Sequence, residues 1–283
     1  MLHSQTAVAF LAAVATIACV NDGAAAQDIS AGSAPATVTS RRSVPVSIRY
    51  PGQSDIAIDG NIDDPDWATV PTMGNFVQRE PSEGRPAEQQ TEVRMLFDDN
   101  ALYIAARLYD DHPHTIARQL VRRAEWGQYD YFEVGVDPNL DRRTGSLFRV
   151  SAANVQRDEY LFDDSDRDDA WDAVWSSAVQ IDSLGWTVEM RIPLSQIRYE
   201  ASSAPTTWGV NFNRRRLLTN EQSQFKLISR TQRGIVSQFA ELAGVEIARA
   251  ARRIELRPYL LSSAFNGPAE VGNPFEDGSG ANA

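Results

Sequence analysis

The sequence predicts an all-β protein in which two antiparallel sheets pack face to face as a jelly-roll-like β-sandwich. Many short segments alternate apolar and polar residues, as strands with one buried face do. Polar turns separate these segments, and helical periodicity is weak, with short signals only at 115–122 and 193–197. Hydrophobic residues make up 42% of the 283 residues, which suffices for a packed core.

The first clear pair of strands surrounds the polar turn at residues 98–100. Val93, Met95 and Phe97 alternate with polar residues before this turn. A second alternating set follows it, consisting of Leu102, Ile104, Ala106 and Leu108. Two period-2 runs joined by a polar turn predict a β-hairpin.

The same alternation recurs along the rest of the chain. It is found at 132–136, 186–192 and 208–212, and the segments 225–228 and 239–245 are predicted to be closing strands. Many short strands with one apolar face each predict two packed sheets. We therefore place the sandwich at residues 48–247.

The two ends of the chain are predicted to lie outside the sandwich. Residues 1–26 are typical of a signal peptide, because the apolar run 7–20 is too short to span a bilayer and small residues precede a cleavage site after Ala26. Cleavage there would remove Cys19, the only cysteine; the alternative is a lipoprotein acylated at Cys19. Export to the periplasm, outer membrane or cell surface is expected. Residues 27–47 are predicted to be a flexible leader.

The net charge of −11 argues against two classes of partner. A nucleic-acid-binding protein needs a basic face to neutralise phosphates, and an anionic lipid surface attracts basic segments. We therefore expect no nucleic-acid partner.

Four motifs resemble those of carbohydrate-binding module family 9. They occur in the family's order at residues 58–67 (IDGNIDDPDW), 96–104 (LFDDNALYI), 130–138 (DYFEVGVDP) and 185–193 (GWTVEMRIP). The chain is also similar to large bacterial outer-membrane proteins that join such a module to a C-terminal β-barrel. In that comparison, residues 248–283 resemble a linker and the first strand of a truncated barrel, followed by a disordered tail. The resemblance implies a sandwich fold, sugar recognition, bound calcium and association with glycoside hydrolases.

Three tryptophans are candidates for an aromatic sugar-binding platform. Trp126, Trp171 and Trp175 lie in loop-like, acid-rich segments where periodicity does not explain them as core, although core packing is the alternative. Flat aromatic faces suit sugar rings, and polar neighbours suit their hydroxyl groups. Tyr129, Asp130 and Arg215 are the further predicted contacts, with Arg214 on the opposite face of its strand from Arg215. Trp186 and Trp208 are expected in the core, and Trp67 at one end of the sandwich.

The densest acidic segment, residues 163–169, is a candidate calcium site. Asp164, Asp166 and Asp168 have the alternate spacing of EF-hand ligands, but the glycine and glutamate of that loop are missing. A solvated acidic loop is the alternative.

These observations predict a module that binds polysaccharide or oligosaccharide, associated with carbohydrate catabolism. Nucleophile-elbow, phosphate-loop and thiol signatures are missing from the predicted mature chain. Two alternatives stay open: a periplasmic accessory domain of an outer-membrane barrel with no sugar ligand, and a glycoside hydrolase acting on O-glycosyl bonds.

Overall fold

The computed structural model describes residues 54–247 and, outside that range, the backbone of four two-residue strands. The strands in chain order are β1 (Ser43–Val44), β2 (Ile48–Arg49), β3 (Val77–Glu80), β4 (Thr91–Phe97), β5 (Ala101–Tyr109), β6 (Tyr131–Asp137), β7 (Gly145–Ser151), β8 (Gln156–Phe162), β9 (Asp166–Asp168), β10 (Ser176–Asp182), β11 (Gly185–Pro193), β12 (Ser202–Arg216), β13 (Glu221–Gln224), β14 (Ala240–Ile247), β15 (Ser263–Ala264) and β16 (Ala281–Asn282). One short helix, α1 (Pro65–Ala68), and 3-10 turns at Pro113–Thr115, Leu194–Gln196 and Val236–Gln238 complete the described elements.

Two sheets contain nearly all of these strands. The larger sheet has nine strands in the order β1-β14-β12-β6-β7-β8-β9, with β13 paired to β12 and β3 paired to β13. The smaller sheet has five strands in the order β10-β11-β5-β4-β2. Pairing is antiparallel except between β1 and β14 and between β2 and β4. The predicted two-sheet antiparallel sandwich is confirmed.

The predicted hairpin is β4 and β5 of the smaller sheet. Met95 lies opposite Ile104, and Phe97 lies opposite Leu102. These side chains are buried in the main core cluster, together with Trp186 and Trp208. Because successive strand residues point to opposite faces, the alternating set of each strand faces the other sheet.

The motif at residues 58–67 covers the outer face of the smaller sheet. Trp67 packs there against Leu96, Tyr103 and Ala105, in a cluster separate from the main core. The carboxylate of Glu189 holds this cover: it accepts hydrogen bonds from Trp67 Nε1 (2.9 Å) and from the backbone N–H groups of Gly60 (2.9 Å) and Asp59 (3.1 Å). Trp67 is structural as expected, although it covers a sheet face rather than an end.

Some local predictions differ from the structure. Residues 225–228 are not a strand, because the pairing with β12 ends at Gln224. The helical signal at 115–122 gives only the 3-10 turn Pro113–Thr115. The predicted signal peptide, the barrel-type strand and the leader up to residue 42 lie outside the described residues; Ser43–Val44, predicted as part of the leader, form β1 beside β14. Within the described part of the chain, no helix has the length and apolar character to cross a membrane.

Candidate functional site

The outer face of the larger sheet carries a row of charged and amide side chains instead of the usual solvated surface. Asn213, Glu133, Arg149 and Arg157 lie side by side across β12, β6, β7 and β8. Their strand neighbours Phe132 and Phe148 point into the core, so alternation directs this row outward. Glu133, Arg149 and Arg157 are nevertheless buried, which requires that other segments cover the face.

Arg149 is the centre of this row. Its side chain donates from Nε to Glu133 Oε2 (2.9 Å), and Nη2 donates to the same oxygen. The guanidinium carbon lies 4.2 Å from the ring centroid of Trp126 and 4.3 Å from that of Tyr131. Arg149 is only 4% exposed, and an ion pair at this depth fixes its position because an unpaired buried charge is costly.

Trp126 remains accessible on top of this arrangement. Its side chain is 58% exposed, and Arg157 also contacts its ring, with the guanidinium carbon 4.7 Å from the centroid. Neighbouring contacts hold the loop: Tyr129 Oη donates to the carbonyl of Glu125 (3.0 Å), and Arg157 Nη1 donates to that of Ala124. The indole is thus an exposed aromatic surface on a fixed cationic support.

A cavity of about 210 Å³ lies beside the indole. Polar side chains from several strands form most of its walls, and apolar side chains around Phe239 form one side. The lining residues are Arg79, Trp126, Tyr131, Glu133, Gly135, Leu147, Arg149, Arg167, Asn211, Phe212, Asn213, Gln222, Gln224, Ile228, Ile235 and Phe239. Among the described residues, the buried atoms Arg149 Nη1 and Asn213 Oδ1 have no hydrogen-bond partner. Both residues line the cavity, so their unsatisfied polar groups lie close to the space that a ligand would occupy.

A second cavity, of about 560 Å³, lies between residues 72 and 92. This cavity is larger, but its lining includes none of the residues in 54–247 that carry a buried polar atom without a hydrogen-bond partner. We therefore regard the smaller cavity as the candidate site.

The structure separates the three tryptophans of the predicted platform. Trp171 and Trp175 pack edge-on against Phe148, with ring centroids 5.7 Å and 5.5 Å away. Phe148 and Arg149 are consecutive residues of β7, so these two tryptophans lie on the opposite sheet face from Trp126. Trp175 is 6% exposed, and its Nε1 donates to Asp158 (3.3 Å). The expectation of a shared platform is corrected, because Trp175 belongs to the core and Trp171 packs against it.

The other predicted contacts surround the site without lining its cavity. Tyr129 is buried and supports the Trp126 loop. Asp130 is also buried; its Oδ1 accepts from the backbone N–H of Leu217 (2.8 Å), and burial raises the pKa of its carboxyl group. Arg215 faces outward and donates to Asn220 (3.0 Å), while Arg214 points between the sheets and bonds the carbonyl of Tyr109 (2.7 Å). The predicted opposite orientation of the two arginines is confirmed.

The acidic segment does not fit a calcium site. Asp164 Oδ1 accepts from the backbone N–H groups of Ile235 (3.0 Å) and Ser237 (2.8 Å), and Oδ2 accepts from Ser237 Oγ (2.8 Å). Although burial opposes it, these hydrogen bonds hold the pKa of the Asp164 carboxyl below its usual value. Asp166 and Asp168 are exposed on β9. Across residues 54–247, no group of three or more acidic, His or Cys side chains is arranged to hold a metal ion, so calcium binding at Asp164, Asp166 and Asp168 stays a prediction from the sequence.

Arg149 and Asn213 were not among the predicted site residues. Each is a polar residue at an outward strand position next to a buried phenylalanine, Phe148 or Phe212, which is also the pattern of an ordinary solvated surface. Only the covering segments, which are distant in sequence, distinguish the two cases.

Fold and site together define a ligand-binding β-sandwich domain. The family model described as "Carbohydrate family 9 binding domain-like" matches residues 58–229, which is more than half of the chain. The chain belongs to this family.

Two solved structures with the same fold are those of a family 9 carbohydrate-binding module from Caldicellulosiruptor kristjanssonii. The complex with cellotriose is 18% identical with a TM-score of 0.52, covering 75% of this chain and 99% of the module. The complex with glucose is 20% identical with a TM-score of 0.52, covering 75% of this chain and 100% of the module. At these identities the likeness concerns the fold. No curated protein matches the sequence.

Proposed function

We propose that this protein binds a saccharide in the cavity beside Trp126 and performs no chemistry on it. One observation carries the proposal: an exposed indole borders a cavity lined by polar side chains, and two of these, Arg149 and Asn213, each carry a buried atom without a partner among the described residues. A sugar ring combines an apolar face with hydroxyl groups that both donate and accept hydrogen bonds. It therefore matches both the stacking surface and the polar lining of the cavity.

The size of the cavity suits part of a saccharide chain. Its volume of about 210 Å³ is below the roughly 300–1,000 Å³ of pockets that enclose a whole drug-sized ligand. One sugar unit would enter the cavity while the rest of the chain extends into solvent across the face of Trp126. The site's rigidity favours this mode, since Arg149 and Tyr129 hold the aromatic side and little ordering cost accompanies binding.

The known ligands of the structural neighbours support a saccharide as the ligand class. The module from Caldicellulosiruptor kristjanssonii was solved with cellotriose and with glucose. The predicted export of this chain would bring the cavity into contact with extracellular or periplasmic saccharides. A role in carbohydrate catabolism and a link to an outer-membrane barrel remain proposals beside the main one.

The cavity does not favour hydrolysis. Glycoside hydrolases use two carboxyl groups on either side of the scissile bond. Among the residues that the structure describes, Glu133 is the one carboxylate that lines this cavity, and Arg149 holds it in an ion pair. We therefore do not extend the proposal to catalysis.

Calorimetric titration of the full chain with a saccharide panel, followed in parallel by tryptophan fluorescence, tests the proposal. The panel contains glucose, cellotriose and neutral and acidic plant oligosaccharides. Trp126→Ala should weaken binding at least about tenfold, because stacking of an aromatic ring and exclusion of water are both lost. Trp126→Phe, which keeps a smaller flat ring, should retain part of the affinity.

Leu184→Ala provides the matched control. Leu184 has the same 58% exposure as Trp126 but lies in the turn between β10 and β11 of the smaller sheet. Its replacement should leave affinity unchanged. Saturable binding that is insensitive to Trp126→Ala would place the site elsewhere, and no binding across the panel would refute the proposal.

A further inference from the structure

The cavity has a charge opposite to that of the chain. Three arginines and one glutamate line it, Arg79, Arg149 and Arg167 against Glu133, which gives a net lining charge of +2 (3 − 1). The whole chain has a net charge of −11. We infer that the saccharide bound here is an acidic one, recognised through a carboxylate such as that of a uronic acid; this inference rests on the function proposed above.

The ion pairs around the cavity leave this positive charge uncompensated. Arg79 donates to the carbonyl of Ile228 (3.2 Å) and to the side-chain oxygen of Gln222 (3.5 Å), both neutral acceptors. Arg167 and Arg157 share one carboxylate, since both donate to Glu159, at 2.6 Å and 2.7 Å. One glutamate thus balances two arginines.

Two further carboxylates bear on this charge balance. Glu133 offsets Arg149 alone, through the bonds to Nε and Nη2. Asp169 lies 3.7 Å from Arg157, but its side chain is 75% exposed and water screens its charge. Arg79 and one of the pair Arg157 and Arg167 therefore remain without a buried countercharge among the described residues.

The geometry of the arginines suits a carboxylate better than a hydroxyl group. Nη1 of Arg149 is the one guanidinium nitrogen of that residue without a partner in the described part of the chain, and Arg149 lines the cavity together with Arg79 and Arg167. A planar guanidinium binds a planar carboxylate through parallel charge-assisted hydrogen bonds, which are stronger than bonds to neutral oxygens. A neutral sugar would satisfy the donor but would leave the net charge uncompensated in a partly desolvated cavity.

Paired ligands test the inference directly. We would titrate the full chain with trigalacturonate and with its carboxyl-reduced neutral counterpart, which differ only in the charged group. The acidic ligand should bind at least about tenfold more tightly, as expected for a hydrogen bond to a charged partner. Raising NaCl to about 0.5 M should reduce this preference, because salt screens the attraction.

Single-charge variants assign the preference to the cavity. Arg79→Gln and Arg167→Gln should each reduce affinity for the acidic ligand about three- to tenfold and leave the neutral ligand nearly unaffected. Arg94→Gln is the matched control, because Arg94 is half-buried like Arg79 but lies on β4 of the smaller sheet. Neither cavity variant removes the Glu133 to Arg149 pair, so both should fold.

The outcomes separate the two proposals. Equal or tighter binding of the neutral ligand, lost on Trp126→Ala, would overturn the acidic preference and keep saccharide binding. A preference that Arg79→Gln and Arg167→Gln leave intact would also overturn the assignment to this cavity. Absence of binding to either ligand and to the wider panel would overturn both proposals.

Discussion

Replacing Glu189 by alanine should destabilise the fold more than any exposed substitution on the smaller sheet. Glu189 is fully buried on β11, and its carboxylate is the common acceptor for Trp67, Gly60 and Asp59. In Glu189→Ala all three donors lose their partner, and the donors of Trp67 and Gly60 are buried. An orphaned buried donor costs about 1–3 kcal/mol, so two of them give roughly 3–5 kcal/mol after partial relaxation.

The measurement is the free energy of unfolding of the full chain, from urea titrations monitored by fluorescence and circular dichroism. A loss of about 4 kcal/mol should lower the melting temperature by roughly 8–16 °C for a domain of this size. Glu92→Ala is the control, because Glu92 lies on β4 and its hydrogen bond to Gln90 is exposed. A loss below about 1 kcal/mol in Glu189→Ala would refute the claim that this carboxylate holds the covering segment.

Three further outcomes follow from the same contacts. Trp175→Ala should lower the free energy of unfolding by about 3–5 kcal/mol, measured by the same titrations. The folded fraction of this variant should bind saccharide with unchanged affinity. A loss of binding without a loss of stability would contradict the placement of Trp175 in the core. Gly185→Ala should abolish soluble folding, judged by circular dichroism, because Gly185 has φ of 134° and a Cβ there would collide with the carbonyl of Leu108. Burial raises the pKa of Glu189 above its unfolded-state value of 4.5, more than its hydrogen bonds lower it. The folded chain therefore binds more protons than the unfolded chain. The free energy of unfolding of the native chain, compared with that of Glu189→Gln, should fall as pH rises from 4.5 through the folded-state pKa. A difference that grows with pH over this range would contradict the raised pKa.

Strand positions could be predicted because they depend on local alternation. The hairpin of β4 and β5 needs only a polar turn between two period-2 runs, and both runs are contiguous in the sequence. The order of the larger sheet could not be read in this way. There β12 lies between β14 and β6, and β6 precedes β12 by 65 residues (137 to 202), so the pairing depends on contacts that no local pattern records.

The tryptophans mark the limit of sequence reasoning about the site. Trp126, Trp171 and Trp175 all lie in irregular segments, as predicted, and such segments have no periodicity that assigns a side chain to one face. Packing against Phe148 or Arg149, adjacent residues of one strand, decides which tryptophans are structural and which one reaches the cavity. The family motifs were a partial guide to the cavity: Tyr131 and Glu133 of the motif at 130–138 line it, whereas Gly60, Trp67 and Glu189 serve the covering segment on the other sheet.

The acidic segment and the cavity are connected by a contact that neither prediction included. Asp164 ties the turn Val236–Gln238 to the end of β8, and Phe239 follows this turn directly. Phe239 packs with Leu147, Leu161 and Ile228 into a small apolar cluster on the outer face of the larger sheet. This cluster closes one side of the cavity. Asp164 therefore helps to shape the cavity by holding the turn that positions Phe239. This cover helps to bury the charges of β6 to β8, and their ion pairs make that burial tolerable. The same cover turns a sheet surface into a pocket.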